Sequence, residues 1–267
     1  EDETVALLSG RMEQLIPGVN LGSYLMLMNG NRQWFSDRYS EDLDTVKVSS
    51  FKPGFIAEMS GNNFDLFFET AFRSNTIKDV DSLYSVTAYK WYPYDSKQSG
   101  RGLYFSGSFF PGQWGITVEL KDYLFDTSSP EKRVHLPFRL GRSSLVYGPP
   151  SGFREHTSTL LSRTPHIMDP EDELGFQIEF NSQVNDNLFL IVNYARSSRH
   201  SAFVNEVDEQ NNSTLRKKDH TQVFVPRTDN GFYPFHEGYA EVNYSYDQLM
   251  FTTGLSHSSE VMLYSAL

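Results

Sequence analysis

The sequence predicts an all-β protein: an antiparallel transmembrane β-barrel, or a large part of one, with roughly a dozen strands and long polar loops on one side. Three observations predict it. A two-residue alternation of apolar and polar side chains recurs along the chain, and successive side chains of a strand point to opposite faces. The connectors between the alternating segments are of two kinds, short and long, as barrel turns and loops are. Helical periodicity is poor nearly everywhere, and no run of about 18 apolar residues would make a transmembrane helix; strands cross membranes without such a run.

The alternation places strands at Thr4–Gln14, Val19–Met28, Val46–Met59, Asn63–Arg73, Leu83–Tyr92, Gly102–Phe110, Trp114–Tyr123, His156–Ser162, Glu173–Gln183, Asn187–Ala195, Glu237–Tyr246, Gln248–Leu255 and Glu260–Ser265. Ile16-Pro17-Gly18, Gly61-Asn62-Asn63, Pro111-Gly112 and Val184-Asn185-Asp186-Asn187 carry the residues that tight turns require. Asn29–Thr45, Lys121–Pro150 and Ser197–Gly231 are long, polar and charged, and connectors of that length are unusual inside a compact domain. No linker divides the chain, so residues 1–267 read as a single barrel domain or a portion of a longer barrel.

The faces sort cleanly. Phe64, Leu66, Phe68 and Phe72 share one side, as do Trp114, Ile116, Val118 and Leu120, and Leu174, Phe176, Ile178 and Phe180. These uncharged faces are expected to meet lipid. The opposite faces carry Asp65, Glu69, Arg73, Glu119, Lys121, Glu173, Gln177, Glu179, Glu237 and Glu241, and are expected to line a hydrated lumen. A soluble extracellular β-sandwich that binds polysaccharide would show a similar alternation and is the alternative.

Composition narrows the classes. Hydrophobic residues make up only 39% of the chain while aromatics reach 15%, with 21 Phe and 15 Tyr; a polar lumen with aromatic girdles has that profile. Trp34-Phe35, Trp91-Tyr92-Pro93-Tyr94, Tyr123, Tyr194 and Phe232-Tyr233 lie near strand ends and are the expected girdle residues. The net charge of −11 argues against a nucleic-acid surface, and Arg216-Lys217-Lys218 reads as a solvated loop. There is no cysteine, which excludes disulfides and thiolate metal sites.

Some segments point to a family. Pro149-Pro150-Ser151-Gly152-Phe153-Arg154-Glu155-His156-Thr157 runs into Leu160-Leu161-Ser162-Arg163-Thr164-Pro165-His166, followed by Asp172-Glu173-Leu174-Gly175-Phe176-Gln177. In this order the segments resemble a family of outer-membrane β-barrel proteins from Bacteroidota and related bacteria. Gly102–Asp122 is similar to that family's glycine-rich strand pair, Phe232–Tyr246 to a late strand, and Ile16–Gly22 to a mid-protein strand start. The resemblance implies the C-terminal part of such a barrel, and it supplies no catalytic residue.

Constellations that could carry chemistry are sparse. His156 and Ser158 lie about 7 Å apart along a strand, too far for a nucleophile and its base, and there is no Gly-x-Ser-x-Gly elbow. Asp169-Pro170-Glu171-Asp172-Glu173 is an acidic turn without EF-hand spacing. The seven histidines show neither HxH nor HExxH spacing. Glu119 with Glu179, or Glu69 with Glu241, would be a glycosidase pair only at the right separation, and Ser99-Gly100-Arg101-Gly102 is not a P-loop. The expectation is therefore a non-enzymatic outer-membrane barrel without cofactor, serving as a passive pore or as a scaffold of an envelope complex. Its expected partners are outer-membrane lipid and lipopolysaccharide, and other envelope proteins. The acidic excess of the lumen residues would favour cations.

Overall fold

A computed structural model describes residues 2–35, 43–78, 82–85, 90–93, 97–125, 172–207, 213–220 and 225–261. The strands in order are β1 (Asp2–Ile16), β2 (Val19–Phe35), β3 (Leu43–Ser60), β4 (Phe64–Lys78), β5 (Ser82–Ser85), β6 (Lys90–Pro93) and β7 (Lys97–Phe109). They continue with β8 (Trp114–Phe125), β9 (Asp172–Asn185), β10 (Leu188–Ser198), β11 (Ser201–Val207), β12 (Ser213–His220), β13 (Phe235–Tyr246) and β14 (Leu249–Glu260). Ten of them form one sheet in the order β1-β2-β3-β4-β7-β8-β9-β10-β13-β14. Every neighbouring pair is antiparallel. The sheet is an antiparallel barrel wall left open between β1 and β14. The hairpins β5/β6 and β11/β12 stand apart from it as two-stranded sheets within long connectors.

The short turns that join successive strands of the ten-stranded sheet all lie at one end. Gly18 turns β1 into β2 with φ of 82°, a left-handed conformation that glycine adopts without steric cost. Neighbouring turns are joined by backbone hydrogen bonds: Ser60 N–H donates to Gly18 O at 2.8 Å, Phe110 to Asn63 at 2.7 Å, Gln183 to Gln113 at 2.7 Å and Ser245 to Asn187 at 2.8 Å. The Asn185 side chain accepts from the Asn187 N–H at 2.9 Å, the local bond that makes asparagine a turn former.

The strands run further toward the opposite, long-loop end than the alternation predicts. β2 and β3 stay in register out to Phe35 opposite Leu43, and β4 continues past Arg73 to Lys78. Beyond Met28 and Arg73 the alternation fades because both faces turn polar, yet the backbone pairing persists. The expected strand Leu83–Tyr92 is instead the short pair β5 and β6, with Ser82 opposite Pro93. β7 occupies the edge of β4, matching Phe64 to Phe109 and Phe68 to Phe105, so the intervening segment pairs with itself. β11 and β12 had no alternation to announce them and pair across a register shift between Ala202 and Phe203. The expected strand His156–Ser162 lies outside the described residues; of Glu260–Ser265, Glu260 ends β14 and residues 262–265 lie outside them.

The core of this sheet is polar. On one face Lys52, Glu69, Arg73, Lys121, Tyr123, Asn193, Ser197, Glu237, Tyr239 and Glu241 are buried, together with Ala71 and Ala195. On the other face Phe51, Phe55, Phe72, Phe109, Trp114, Leu120, Ile178, Val192 and Tyr194 are exposed. Among the described residues no second sheet covers either face. A flat single layer would expose both, so burial of one means that the sheet curls around its own polar side chains, as a barrel wall does.

One close approach fixes this curl locally. Tyr24 of β2 stands opposite Gly54 of β3, and a Cβ at Gly54 would fall inside the Tyr24 ring. The ring lies across the glycine and reaches Glu69 of β4, donating its hydroxyl to Oε1 at 2.6 Å. Gly54→Val should displace the ring, break that bond and cost about 1–3 kcal/mol in a urea titration. In a Tyr24→Ala background the same substitution should cost far less; an equal cost in both backgrounds would show that the ring is not what the glycine accommodates.

Candidate functional site

The inner face is built from every second residue of neighbouring strands. Register sets Ser106 opposite Glu119, Glu119 opposite Gln177, Gln177 opposite Ala195 and Ala195 opposite Glu237. One step along, Thr117, Glu179, Asn193 and Tyr239 form the next row. Tyrosine hydroxyls hold several of the carboxylates: Tyr24 bonds Glu69, Tyr104 bonds Glu119 at 2.9 Å, and Tyr239 bonds Glu241. Asn243 Nδ2 donates to the second oxygen of Glu241 at 2.8 Å, and Asn243 Oδ1 accepts from the Thr252 hydroxyl at 2.6 Å. Lys121 Nζ meets Glu173 Oε1 at 2.5 Å, with both side chains almost wholly buried. Nearer the β1 edge, Arg11 Nη2 meets Glu58 Oε2 at 2.6 Å.

Glu69, Arg73, Glu119, Lys121, Glu173, Gln177, Glu179, Glu237 and Glu241 all stand on this inner face. Asp65 shares their side but is exposed beside the Gly61–Asn63 turn. Glu119 and Glu179 are brought close on β8 and β9, whereas Glu69 on β4 and Glu241 on β13 are separated by β7 to β10. The tyrosines were missed in the sequence, although Tyr104 and Tyr239 occupy inner positions of their strands and Tyr239 sits midway between Glu237 and Glu241.

Phe64, Leu66, Phe68, Phe72, Trp114, Ile116, Val118, Leu120, Phe176, Ile178 and Phe180 stand on the outer face. Leu174 has the same parity but is only 1% exposed, because the long-loop end of β9 is covered. Of the expected girdle residues, Tyr123 is corrected: it is buried on the inner face at the Glu173 position of β9. Tyr194 is outside and exposed. Phe232 is buried with the Arg227 guanidinium 5.2 Å from its ring, and Tyr233 has Arg199 at 4.4 Å. At the turn end Trp114 packs on Phe109 and Phe180, with ring centroids 5.7 and 6.3 Å away. The side chains of Trp34, Phe35, Trp91 and Tyr92, and the whole of Tyr94, lie outside the described residues.

The cover over Leu174 is a charged clasp. His200, just after β10, places Nδ1 at 3.0 Å from Asp172 Oδ1 and Nε2 at 3.1 Å from Asp122 Oδ1. Its backbone N–H donates to the same Asp172 oxygen at 2.9 Å, and Arg101 Nη2 meets the other oxygen of Asp122 at 3.2 Å. Both ring nitrogens face carboxylate oxygens, which only the doubly protonated imidazolium satisfies. Burial opposes that charge, but the hydrogen bonds it donates to both aspartates, and their negative charges, outweigh burial and raise the His200 pKa above 6.5. Asp172 and Glu173 of the acidic run are thus engaged by His200 and Lys121. Asp169, Glu171, His156, Ser158 and His166 lie outside the described residues.

Known proteins share little with the chain. No protein-family model matches it, and no curated protein matches it. Among solved structures it is similar to a Pseudomonas aeruginosa FadL homologue, at 11% identity and a TM-score of 0.34, over 97% of this chain and 60% of that one. It is also similar to the copper transporter OprC, at 12% identity and a TM-score of 0.32, over 94% of this chain and 46% of that one. The chain therefore spans about half to three-fifths of the length of these two proteins.

The arrangement inverts a soluble protein. Charges and hydroxyls are inside, held by one another, and large apolar side chains face outward in a band. On β8 the outer face runs Trp114, Ile116, Val118 and Leu120 before Asp122; on β4 it runs from Phe64 to Phe72 before Ser74. At about 3.3 Å per residue these bands run roughly 20 Å along β8 and roughly 26 Å along β4.

Proposed function

We propose that this chain forms the wall of a bacterial outer-membrane β-barrel whose acidic inner face passes small cations. The observation that supports this reading is the inversion of the faces, with Lys52, Lys121 and Glu237 nearly inaccessible inside while Phe72, Trp114 and Leu255 lie open outside. Lipid is the solvent in which such an outer face is favourable. The polysaccharide-binding sandwich lacks support, since it would need a second sheet against the apolar face. Unpaired backbone groups cannot face lipid, so in the bilayer β1 and β14 are paired, to each other or to additional strands. The family reading extends the proposal to the Bacteroidota barrels, and no catalytic step is assigned to the chain.

Glu58, Glu69, Glu119, Glu173, Glu179, Glu237 and Glu241 outnumber Arg11, Lys52, Arg73 and Lys121 on the inner face. In planar bilayers the protein should give cation-selective conductance. Replacing Glu119, Glu179 and Glu241 together by Gln should shift the reversal potential under a salt gradient toward zero. A silent protein that still inserts and resists unfolding in detergent would favour a closed scaffold barrel over a pore.

A further inference from the structure

The outer face changes character at the long-loop end of β10, β13 and β14. Arg196 stands directly opposite His236, and the His236 ring lies 6.1 Å from that of His257. All three point outward by register; Arg196 and His257 stand one outward step beyond Tyr194 and Leu255, and His236 one step beyond Gly238. No carboxylate shares the outer face of these three strands: Glu237, Glu241 and Glu260 all fall on the inner side. The Arg196 guanidinium makes no hydrogen bond or ion pair with any described residue. One step further on, Arg227 adds a cation as its backbone N–H donates to Ser198 Oγ at 3.0 Å, with Asp229 loosely beside it at 3.9 Å. In a chain of net charge −11, an arginine flanked by two imidazoles, with no carboxylate on the outer face of the same strands, suits an anionic partner.

Beneath these side chains the wall has a shallow trough. Gly238 and Ala240 form its floor on β13, Tyr194 and Val192 flank it on β10, and His257 and Leu255 on β14. Nothing lies within 4 Å of where a Gly238 Cβ would be, so the floor is open. The trough is apolar and the mouth carries Arg196 with two imidazoles, and the two meet at the edge of the band. A free anion would use only the mouth; an acyl chain alone would use only the trough.

We propose that Arg196, His236 and His257 bind the phosphate of an anionic membrane lipid whose acyl chain lies over Gly238 and Ala240. The guanidinium fork presents paired N–H donors to phosphoryl oxygens, the imidazoles add N–H donors from the adjacent strands, and the chain covers Val192 and Leu255. The proposal rests on the membrane reading above.

The test uses the full chain in a mild non-ionic detergent, with lipid retention followed by native mass spectrometry. Phosphatidylglycerol should be retained in preference to phosphatidylcholine, and inorganic phosphate at equal concentration should not compete. In the triple variant R196Q/H236Q/H257Q the apparent affinity for phosphatidylglycerol should fall by roughly tenfold or more, with phosphatidylcholine unchanged. Arg196→Lys, which keeps the charge but loses the fork, should lose only part of the preference, and the unchanged phosphatidylcholine retention of the triple variant reports that it is folded. Equal retention of the two lipids by the native chain, or unchanged phosphatidylglycerol retention by the triple variant, would overturn the site. Full competition by inorganic phosphate would replace the lipid by a free anion. Failure to retain either lipid, with a monodisperse chain in detergent-free buffer, would instead overturn the membrane reading.

Discussion

Ile178→Arg is expected to destabilise the protein by about 2–4 kcal/mol, while Gln177→Arg, one residue away, should change stability little. Ile178 is on the outer face, opposite Val118 on one side and Tyr194 on the other, and between Phe176 and Phe180 within the apolar band of β9. An arginine there must shed its hydration into hydrocarbon or drag water into the bilayer, and that cost is greatest near the midplane. Gln177 faces inward between Glu119 and Ala195, with Glu179 nearby, so a guanidinium gains carboxylate partners. Urea titrations of both variants in phospholipid vesicles would measure the difference. Equal costs would mean that the two faces do not meet different solvents, and the barrel reading would fail with them.

His200→Ala should cost about 3–5 kcal/mol at acidic pH, the usual penalty for removing one partner of a buried charged cluster. Asp172 is fully buried and would lose both its imidazolium partner and the charge opposite it, whereas Asp122 keeps Arg101. The sign of the pH dependence follows from the raised pKa of His200. The stabilisation from its charge is complete below about 6.5, the value in an unfolded chain, and is lost as pH rises through the higher folded value. Native stability should therefore fall on the alkaline side of 6.5, and the Ala variant should lack that component. Hydrogen exchange would locate the loss at Arg199–Ala202 and at Arg227–Tyr233, which are tied together by the Arg199 N–H to Phe232 O bond of 2.8 Å. A variant with the wild-type pH profile would show that His200 is not charged in the clasp.

Much of this was legible from alternation alone. In β4, β8 and β9 the apolar residues of each strand share one side of the sheet, because period two leaves only two choices and the charged partners settle which is which; Leu174 has that parity and is covered all the same. The turns were legible for a local reason as well: Gly18, Asn187 and the Pro111-Gly112 pair need conformations that few residues adopt cheaply. What stayed hidden depends on contacts distant in sequence. Nothing near Leu174 announces that His200 will fold back over it, and Tyr123 looks like an interfacial aromatic until its strand is placed beside Glu173. The extensions of β2, β3 and β4 were invisible because their side chains stop alternating where neither face needs to be apolar. The tyrosine–carboxylate bonds were half legible: parity puts Tyr104 and Glu119 on one side, but only register makes them meet.

The order of strands in the sheet also bears on how it is assembled. Each sheet strand pairs with its predecessor in the chain, or skips a single hairpin, so the wall can be laid down by successive zippering without distant searches. The steps are unequal. Closing the two-residue turn at Asp186-Asn187 fixes little chain, whereas β8 and β9 meet across residues 126–171. Loop closure grows by about 0.6 kcal/mol per doubling, so that junction is entropically costlier by roughly 2–3 kcal/mol. On connector length alone, two junctions should therefore join late: β8 with β9 along Trp114–Leu124 and Asp172–Ser182, and β10 with β13 across residues 199–234.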